Sequence, residues 1–215
     1  MFPMLKTVKS FKEAKLAKYI VYDILIFIVI VVLFVFLSIF LKEQLIHFED
    51  GWLNTLTSFL SGSLSVVISW FMLPTLMPLI SGIFLEMVIK NVEDRYYPNN
   101  SKSEARFWPD IIHDIKFTIY SLFLNILIIP LYFIGIGFIV AILLNSYLLG
   151  REFFEAAAGY HIGKPKAKIL GKKYKTKIYT GGLVFTLITL VPVLNLFVPI
   201  IAVVWMVHFY NNKVV

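Results

Sequence analysis

The sequence predicts an all-α integral membrane protein with two long spanning helices, two partly inserted helical hairpins and short interfacial helices. Hydrophobic residues make up 59% of the 215 residues and the mean hydropathy is +0.83, values typical of membrane proteins rather than of soluble domains. Four long stretches carry no Asp, Glu, Lys or Arg, and together they form a single membrane domain. Two of them, 117–149 and 178–210, have a length that fits neither one crossing nor two.

The chain begins with a basic segment at 1–18 that carries five lysines. Its apolar side consists of Phe2, Leu5, Val8, Phe11 and Leu16. A helix of this kind lies on a membrane surface. Span one follows at 19–41 and is rich in isoleucine, valine and phenylalanine. Asp23 lies one turn inside this span, and we expect an interfacial carboxylate near water that pairs with Lys18 or with a neighbouring subunit.

A short acidic loop at 42–52 leads to span two at 53–85. Prolines break the hydrogen-bond ladder of a membrane helix and bend its axis. Pro74 and Pro78 therefore predict either a kink or a break in this span. In the second case, 82–97 forms a helix that leaves the membrane. The side chains expected on its wet face are Glu86, Lys90, Glu93 and Asp94.

The stretches 117–149 and 178–210 are each 33 residues long. One helix crosses a hydrocarbon core of about 30 Å with about 20 residues, so two crossings and a turn need more than about 40. We therefore predict two helical hairpins that turn back partway through the membrane. The predicted turn residues of the first hairpin are Pro130, Gly135 and Gly137. Those of the second are Pro192, Asn195 and Pro199, and the amide of Asn195 is expected to cap backbone groups at the tip.

Two charged segments flank the hairpins. The first, 151–161, is predicted to form a short helix in which Arg151 and Glu155 pair at a spacing of four residues. The second, 164–177, is rich in lysine and is predicted to be a basic linker. Non-helical backbone inside a membrane survives only where protein or water covers it. The two hairpin turns therefore predict a homo-oligomer that covers them.

The basic residues are distributed unevenly. Nineteen of the twenty Lys and Arg residues lie on one side of the membrane if each hairpin returns to the side it left. Loops rich in Lys and Arg face the cytoplasm, so we expect both termini there. The net charge of +7 is then explained by contact with anionic lipid, and the lipid bilayer is the expected partner. Nucleic acid is not expected to bind.

The sequence carries no pattern typical of an enzyme. It contains no cysteine, its four histidines show no metal-ligand spacing, and phosphate-loop and hydrolase motifs are absent. We therefore expect no catalytic residues, no bound metal and no cofactor.

Lys15 and Lys18 are the candidate substrate-binding residues. They precede span one, where free backbone N–H groups at a helix start and nearby positive charge both favour an anion. The phosphate headgroups of lipid are the competing ligand for the same two lysines.

Several runs of residues are similar to those of one family. The run 185–203 contains Pro192-Val-Leu-Asn-Leu-Phe197 followed by a proline, and it resembles the last hairpin of the CysZ sulfate permeases. The segment 78–86 is similar to the part of that family after its second span, and 130–137 is similar to its first hairpin turn. Leu149-Gly-Arg-Glu-Phe-Phe-Glu155 is similar to the branch that includes the etoposide-induced 2.4 membrane proteins.

This resemblance implies two spanning helices and two partly inserted hairpins in an oligomer. It also implies sulfate uptake across the bacterial inner membrane for cysteine synthesis. Sulfate permeases of the family carry a glycine and an arginine pair before the first span. In the matching stretch 14–19, Lys18 stands at one of these arginines, and the glycine and the other arginine are missing. Lys18 is therefore the residue through which the resemblance implies an oxyanion site.

Two functions follow as hypotheses. The first is an inner-membrane permease or channel-like protein for sulfate or a related small oxyanion, which supports sulfur assimilation. The second is a non-transporting membrane scaffold or lipid-interacting protein of the same family. The basic segment 164–177 and the absence of charge deep in the apolar stretches favour the second.

Overall fold

The computed structural model of the chain describes residues 4–45, 51–99 and 107–214. All regular structure in these ranges is helical, which confirms the predicted all-α class. The helices are α1 (Met4–Glu13), α2 (Ala17–Leu45), α3 (Gly51–Gly82), α4 (Leu85–Tyr96), α5 (Phe107–Phe133), α6 (Gly137–Ile162), α7 (Lys164–Gly171), α8 (Lys175–Thr189), α9 (Pro192–Asn195) and α10 (Val198–Lys213). A short 3-10 helix, Lys172–Tyr174, joins α7 to α8. Positions 1–3 of the predicted basic segment and 46–50 of the predicted acidic loop lie outside the described residues.

Three of the described helices are long and apolar enough to cross a membrane. These are Ala17–Leu41 within α2, Trp108–Phe133 within α5, and α6. Each contains 25 or 26 residues, which exceeds the about 20 that a hydrocarbon core requires. The two arms of the first hairpin therefore extend beyond the uncharged stretch 117–149 into the charged residues on either side.

The prediction of a separate short helix at 151–161 is wrong, because α6 continues through it to Ile162. In this part of α6, buried side chains recur at intervals of three or four residues and so lie on one face of the helix. These side chains are Phe154, Ala157, Ala158 and His161. This spacing keeps the helix packed against the core, so the charged residues do not end it. The predicted pairing of Arg151 with Glu155 is confirmed, with 2.6 Å between Nε and Oε1.

The turn between α5 and α6 depends on two glycines. Gly135 has a φ of +82°, a left-handed conformation that favours glycine. Gly137 begins α6, and a Cβ at this position would lie 2.5 Å from the backbone N of Tyr132. Pro130 lies inside α5, close to its end. The two glycines therefore permit the reversal of the chain and the close approach of its two arms.

The second hairpin has shorter arms. α8 contains 15 residues and α10 contains 16. A rise of about 1.5 Å per residue makes each arm about 23 Å long, which is less than a hydrocarbon core of about 30 Å. Pro192 and Asn195 are the first and last residues of α9, and the side chain of Pro192 lies outside the described part of the structure. Pro199 lies in the first turn of α10, where a backbone N–H would form no hydrogen bond within the helix, so a proline is tolerated there.

α10 forms the centre of the described core. The residues Ala202–Tyr210 are all buried, as expected for a helix with neighbours on every side. α1, α4, α6 and α8 contact it. By contrast, many large apolar side chains along α2, α3 and α5 are exposed, and lipid is the medium that suits such a surface.

Span two does not break at its prolines. α3 is continuous to Gly82, and the break lies at 83–84, before α4. The predicted wet face of α4 is wrong at Glu93, whose side chain is only 1% exposed. Its Oε1 atom lies 2.6 Å from Nε2 of His161, so a partner on α6 holds this carboxylate in the interior.

The prediction of a basic linker at 164–177 is also wrong, since these residues form α7, the 3-10 helix and the start of α8. Gly163 has a φ of +79°, which reverses the chain between α6 and α7. Pro165 lies in the first turn of α7, where proline is well tolerated, and Ala167 is buried. The segment therefore forms a helical layer beside α6.

α6 and α8 approach each other closely at two glycines. A Cβ on Gly182 would collide with the carbonyl oxygen of Ser146 and would lie 2.7 Å from the backbone N of Gly150. A Cβ on Gly150 would in turn collide with the carbonyl oxygen of Ile178. Small residues at a helix interface let two backbones come together. This contact joins the first hairpin to the second.

Candidate anion site

A cavity of about 370 Å³ lies between α6, α7, the 3-10 helix and α8. The basic side chains that line it are Arg151, Lys168, Lys172 and Lys175. A neighbouring cavity of about 390 Å³ lies toward α5 and adds Lys116. Tyr147, Arg151 and Lys168 line both cavities, so these three side chains lie between them.

Each wall of the first cavity contributes side chains four residues apart. They are Tyr147, Arg151 and Glu155 on α6, Lys168 and Lys172 on α7 and the 3-10 helix, and Lys175 and Tyr179 on α8. Residues at this spacing lie on the same face of a helix. Each of the three segments therefore turns one face toward the cavity.

Arg151 is held in place on two sides. Its Nε donates to Oε1 of Glu155 at 2.6 Å, and its guanidinium carbon lies 4.7 Å from the ring centre of Phe117. The other carboxylate oxygen of Glu155 lies 2.6 Å from Nε2 of His113 on α5. A guanidinium has five N–H donors, and the bond to Glu155 uses one of them. Glu155 and Phe117 therefore orient the guanidinium of Arg151 and leave other N–H groups available for a ligand.

The lining of the two cavities is strongly basic. Arg151 and four lysines face them, whereas Glu155 is the carboxylate among the residues that line them. Tyrosine hydroxyl groups at Tyr147 and Tyr179 add neutral donors. Cations and donors that converge on one space bind oxyanions through charge-assisted hydrogen bonds. In the described ranges, no three His, Asp or Glu side chains come together in a way that could hold a metal ion.

The structure places the predicted residues Lys15 and Lys18 elsewhere. Both are exposed, Lys15 in the turn between α1 and α2 and Lys18 in the first turn of α2, and neither lines the two cavities. Lys15 has a φ of +53°, and Nζ of Lys18 lies 4.9 Å from the ring centre of Tyr19. The sequence therefore singled out one basic turn, while the structure brings a larger set of basic residues together around Arg151.

One signal in the sequence could have found the cavity. Lys168, Lys172 and Lys175 repeat at three or four residues, as do Tyr147, Arg151 and Glu155. Such spacing predicts a common face if the segment is helical. The interpretation of 164–177 as a linker prevented this prediction, because residues three or four apart share a face only in a helix.

A buried polar cluster joins α4, α6 and α10 outside the cavity. Oε1 of Glu93 lies 2.6 Å from Nε2 of His161 and accepts from Nδ2 of Asn211 at 3.2 Å. The ring of Tyr210 stacks on His161 at 5.4 Å. Glu93 and His161 are 1% and 7% exposed, so this pair is almost completely shielded from water.

A second buried cluster joins α1 to α10 through His208. Its Nδ1 lies 2.9 Å from the hydroxyl of Tyr97, and its Nε2 lies 2.8 Å from Oγ of Ser10. Oγ of Ser10 donates to the carbonyl oxygen of Lys6 at 2.8 Å. Burial raises the pKa of Tyr97, so this hydroxyl remains a neutral donor to Nδ1. The bonds are consistent with a neutral His208 that carries its proton on Nε2 and donates it to Ser10.

The profile of a protein family described as sulfate transporter CysZ/etoposide-induced protein 2.4 matches residues 4–199. The match includes every residue that lines the two cavities, the α1–α2 turn and both hairpin turns. All of α10 after Pro199 lies beyond it. No curated protein and no solved structure matches the chain.

Proposed function

Since the chain belongs to the family of sulfate transporter CysZ and etoposide-induced protein 2.4, we propose that this membrane protein is a permease or channel-like protein for sulfate or a related small oxyanion. The observation that carries the proposal is the basic lining around Arg151. Four lysines and this arginine oppose the single carboxylate of Glu155. Such an excess of positive charge raises the local concentration of anions and favours their binding.

The geometry around Arg151 suits an oxyanion. A planar guanidinium presents N–H groups that match two oxygens of a tetrahedral anion, and lysine ammonium groups follow the anion as it moves. Glu155 and Phe117 hold the guanidinium in position while anions exchange. The hydroxyl groups of Tyr147 and Tyr179 supply hydrogen bonds in place of the water that the anion loses.

The remaining sequence-based expectations form part of the same proposal. Lys15 and Lys18 are proposed to collect anions at the protein surface, since both are exposed beside the start of α2. The protein is proposed to lie in the bacterial inner membrane as a homo-oligomer with both termini in the cytoplasm. The distribution of nineteen of the twenty basic residues supports this orientation. Sulfate delivered in this way would supply sulfur assimilation.

Replacing Lys168 and Lys172 together with glutamine is expected to lower the rate of sulfate uptake about tenfold or more. A hydrogen bond to a charged group contributes about 1.5–3 kcal/mol, and the variant removes two such donors. Both side chains are exposed, so the folded protein tolerates the change. The measurement is the uptake of radiolabelled sulfate into proteoliposomes, with empty vesicles as the background.

The matched control is Lys9→Gln/Lys90→Gln, which removes two exposed positive charges that do not line the cavities. Its uptake is expected to equal that of the wild type. A separate Lys15→Ala/Lys18→Ala variant measures the contribution of the α1–α2 turn. Undiminished uptake in the Lys168→Gln/Lys172→Gln variant would contradict the role of the cavity. Wild-type uptake no faster than that of empty vesicles would contradict the function itself.

A second candidate function is that of a non-transporting scaffold or lipid-interacting protein of the same family. Lys166, Lys173 and Lys177 are exposed, and the apolar side chain of Ile169 on the same segment is exposed as well. Basic side chains beside an apolar surface bind anionic membranes. This arrangement is the observation that favours the second candidate.

The Lys166→Gln/Lys173→Gln/Lys177→Gln variant separates the two candidates. If the protein acts through anionic lipid, its capture by phosphatidylglycerol vesicles falls about tenfold or more, because each lysine near the surface contributes about 1 kcal/mol. Capture by phosphatidylcholine vesicles is the control. Capture equal to that of the wild type on both lipids would argue against a lipid-binding role for these lysines.

A further inference from the structure

The two basic cavities lie on opposite sides of a boundary that α6 and α7 form. The side chains common to both are Tyr147 and Arg151 on α6 and Lys168 on α7. The first cavity is completed by the 3-10 helix and α8, which add Lys172 and Lys175. The second, neighbouring cavity is completed by α5, which adds His113 and Lys116. The first cavity therefore lies between the two hairpins, and the second lies between the two arms of the first hairpin.

Each cavity has room for an oxyanion of its own. Their volumes are about 370 Å³ and about 390 Å³. A water molecule takes up about 30 Å³ in the liquid, so each volume corresponds to roughly a dozen water molecules. A tetrahedral oxyanion consists of a central atom and its oxygens, and each cavity can hold one together with part of its hydration shell.

The charge of the lining suits two dianions better than one. Arg151 and four lysines line the two cavities, and Glu155 is the carboxylate among the lining residues. With His113 counted as neutral, the lining carries an excess of four positive charges. One dianion offsets half of this excess, and two dianions offset all of it. A second anion therefore meets a lining that is still positive after the first has bound.

Two carboxylates outside the cavities are held by other partners. Asp114 on α5 forms an ion pair with Nζ of Lys164. Asp23 on α2 is 0% exposed, and its Oδ2 accepts from Oγ of Ser81 at 2.6 Å. The expectation that Asp23 lies near water is therefore wrong, because α3 packs against α2, and Ser81 rather than Lys18 is its partner within this chain. Neither carboxylate lines the cavities or offsets their charge there.

Arg151 is placed to donate to both cavities. Its Nε atom bonds to Glu155, which leaves the N–H groups of both Nη atoms for other acceptors. The side chain is 14% exposed, so these donors face the cavities rather than open solvent. Parallel N–H groups of a guanidinium match two oxygens of an oxyanion. An anion on either side of the boundary can therefore bind the same guanidinium.

We propose that the two cavities are separate oxyanion sites, which are occupied at the same time and share Arg151. This inference rests on the proposed function, because it divides the site of that function into two. Lys172 and Lys175 hold the anion of the first site, and Lys116 holds the anion of the second. Repulsion between the two anions weakens the binding of each. Adjacent sites of this kind let an ion bind and still leave, as permeation requires.

The first experiment counts the anions. Equilibrium dialysis measures how many radiolabelled sulfate ions bind to each full-length chain in detergent, and we expect two for the wild type. Lys116→Gln is expected to weaken one of them about tenfold or more, because it removes a hydrogen bond to a charged group. Lys172→Gln/Lys175→Gln is expected to weaken the other, and the variant with all three changes should weaken both. All three lysines are exposed, so the fold tolerates these changes.

The control for this count is Lys9→Gln/Lys90→Gln, whose lysines do not line the cavities, and it should bind two sulfate ions as the wild type does. One bound sulfate that both cavity variants weaken would mean a single continuous site. That result would overturn the inference and leave the proposed function standing. Two bound ions that neither cavity variant weakens would overturn it as well. Wild-type protein that binds no sulfate would count against the proposed function itself.

The second experiment locates the anions. Selenate has the charge and shape of sulfate, and its selenium atom scatters X-rays anomalously. In crystals of the full chain soaked in selenate, we expect two anomalous peaks, one on each side of the Arg151 guanidinium. Lys116→Gln is expected to lose the peak beside α5 and to keep the peak beside α8. A single peak at Arg151 in the wild type, or peaks that lie only outside the two cavities, would overturn the proposal.

Discussion

The Gly182→Leu variant is not expected to reach the native fold. A Cβ at this position collides with the carbonyl oxygen of Ser146 and lies 2.7 Å from the backbone N of Gly150. These atoms belong to the backbone of α6 and cannot rotate away as a flexible side chain can, so α8 has to move. Overpacking of an interior costs about 1–3 kcal/mol even where side chains can adjust. Moving α8 away from α6 separates the two hairpins, and the free-energy cost of this separation is expected to exceed that range.

The measurement is size-exclusion chromatography in detergent, combined with the thermal unfolding temperature of any monodisperse fraction. We expect the Gly182→Leu variant to elute as aggregate. Gly51→Leu is the matched control, because a Cβ at Gly51 meets no atom within 4 Å, and it should behave as the wild type. A monodisperse Gly182→Leu variant with an unchanged unfolding temperature would show that the close contact between α6 and α8 is not needed.

The His161→Leu variant is expected to lose about 3–5 kcal/mol of stability. It leaves the buried carboxyl group of Glu93 with Asn211 as its remaining described partner. Removal of one member of a buried ion pair is costly, because the other member keeps its desolvation penalty without its compensation. The thermal unfolding temperature in detergent reports the loss, with the wild type measured in parallel.

The double variant His161→Leu/Glu93→Leu tests this reason. Replacement of both members of a buried pair by apolar side chains is often neutral or stabilising. We therefore expect the double variant to recover most of the stability that His161→Leu loses. A double variant that is less stable than either single variant would mean that the pair acts through its hydrogen bonds to neighbours rather than through an unpaired charge.

Structural features that depend on residues close in sequence can be predicted from the sequence. The all-α class follows from the long apolar stretches, and the pairing of Arg151 with Glu155 follows from a separation of four residues on one helix. The positive φ of Gly135 at the first hairpin turn is likewise a property of one residue and its neighbours. In each case, a few consecutive residues contain all the information.

Contacts between distant residues account for what the sequence did not reveal. Glu93 was assigned to a wet face because charged residues are usually exposed, but His161, which buries it, lies 68 positions further along the chain. The cavity around Arg151 depends on the approach of α6 and α8, which the sequence records only as two separate glycines, Gly150 and Gly182. Lys15 was predicted as a binding residue because a positive charge next to a helix start can be recognised from a few neighbouring residues.

The central position of α10 has a consequence for the biosynthesis of the protein. Every other described helix leaves the ribosome before α10 does, and yet α1, α4, α6 and α8 all need it as a packing partner. The bond between Ser10 and His208 spans 198 positions of the chain. The earlier helices must therefore wait in the bilayer with their inner faces uncovered. Assembly of this core is thus a late, post-insertion event, and the interval before it is when the nascent chain is most open to membrane-bound chaperones and proteases.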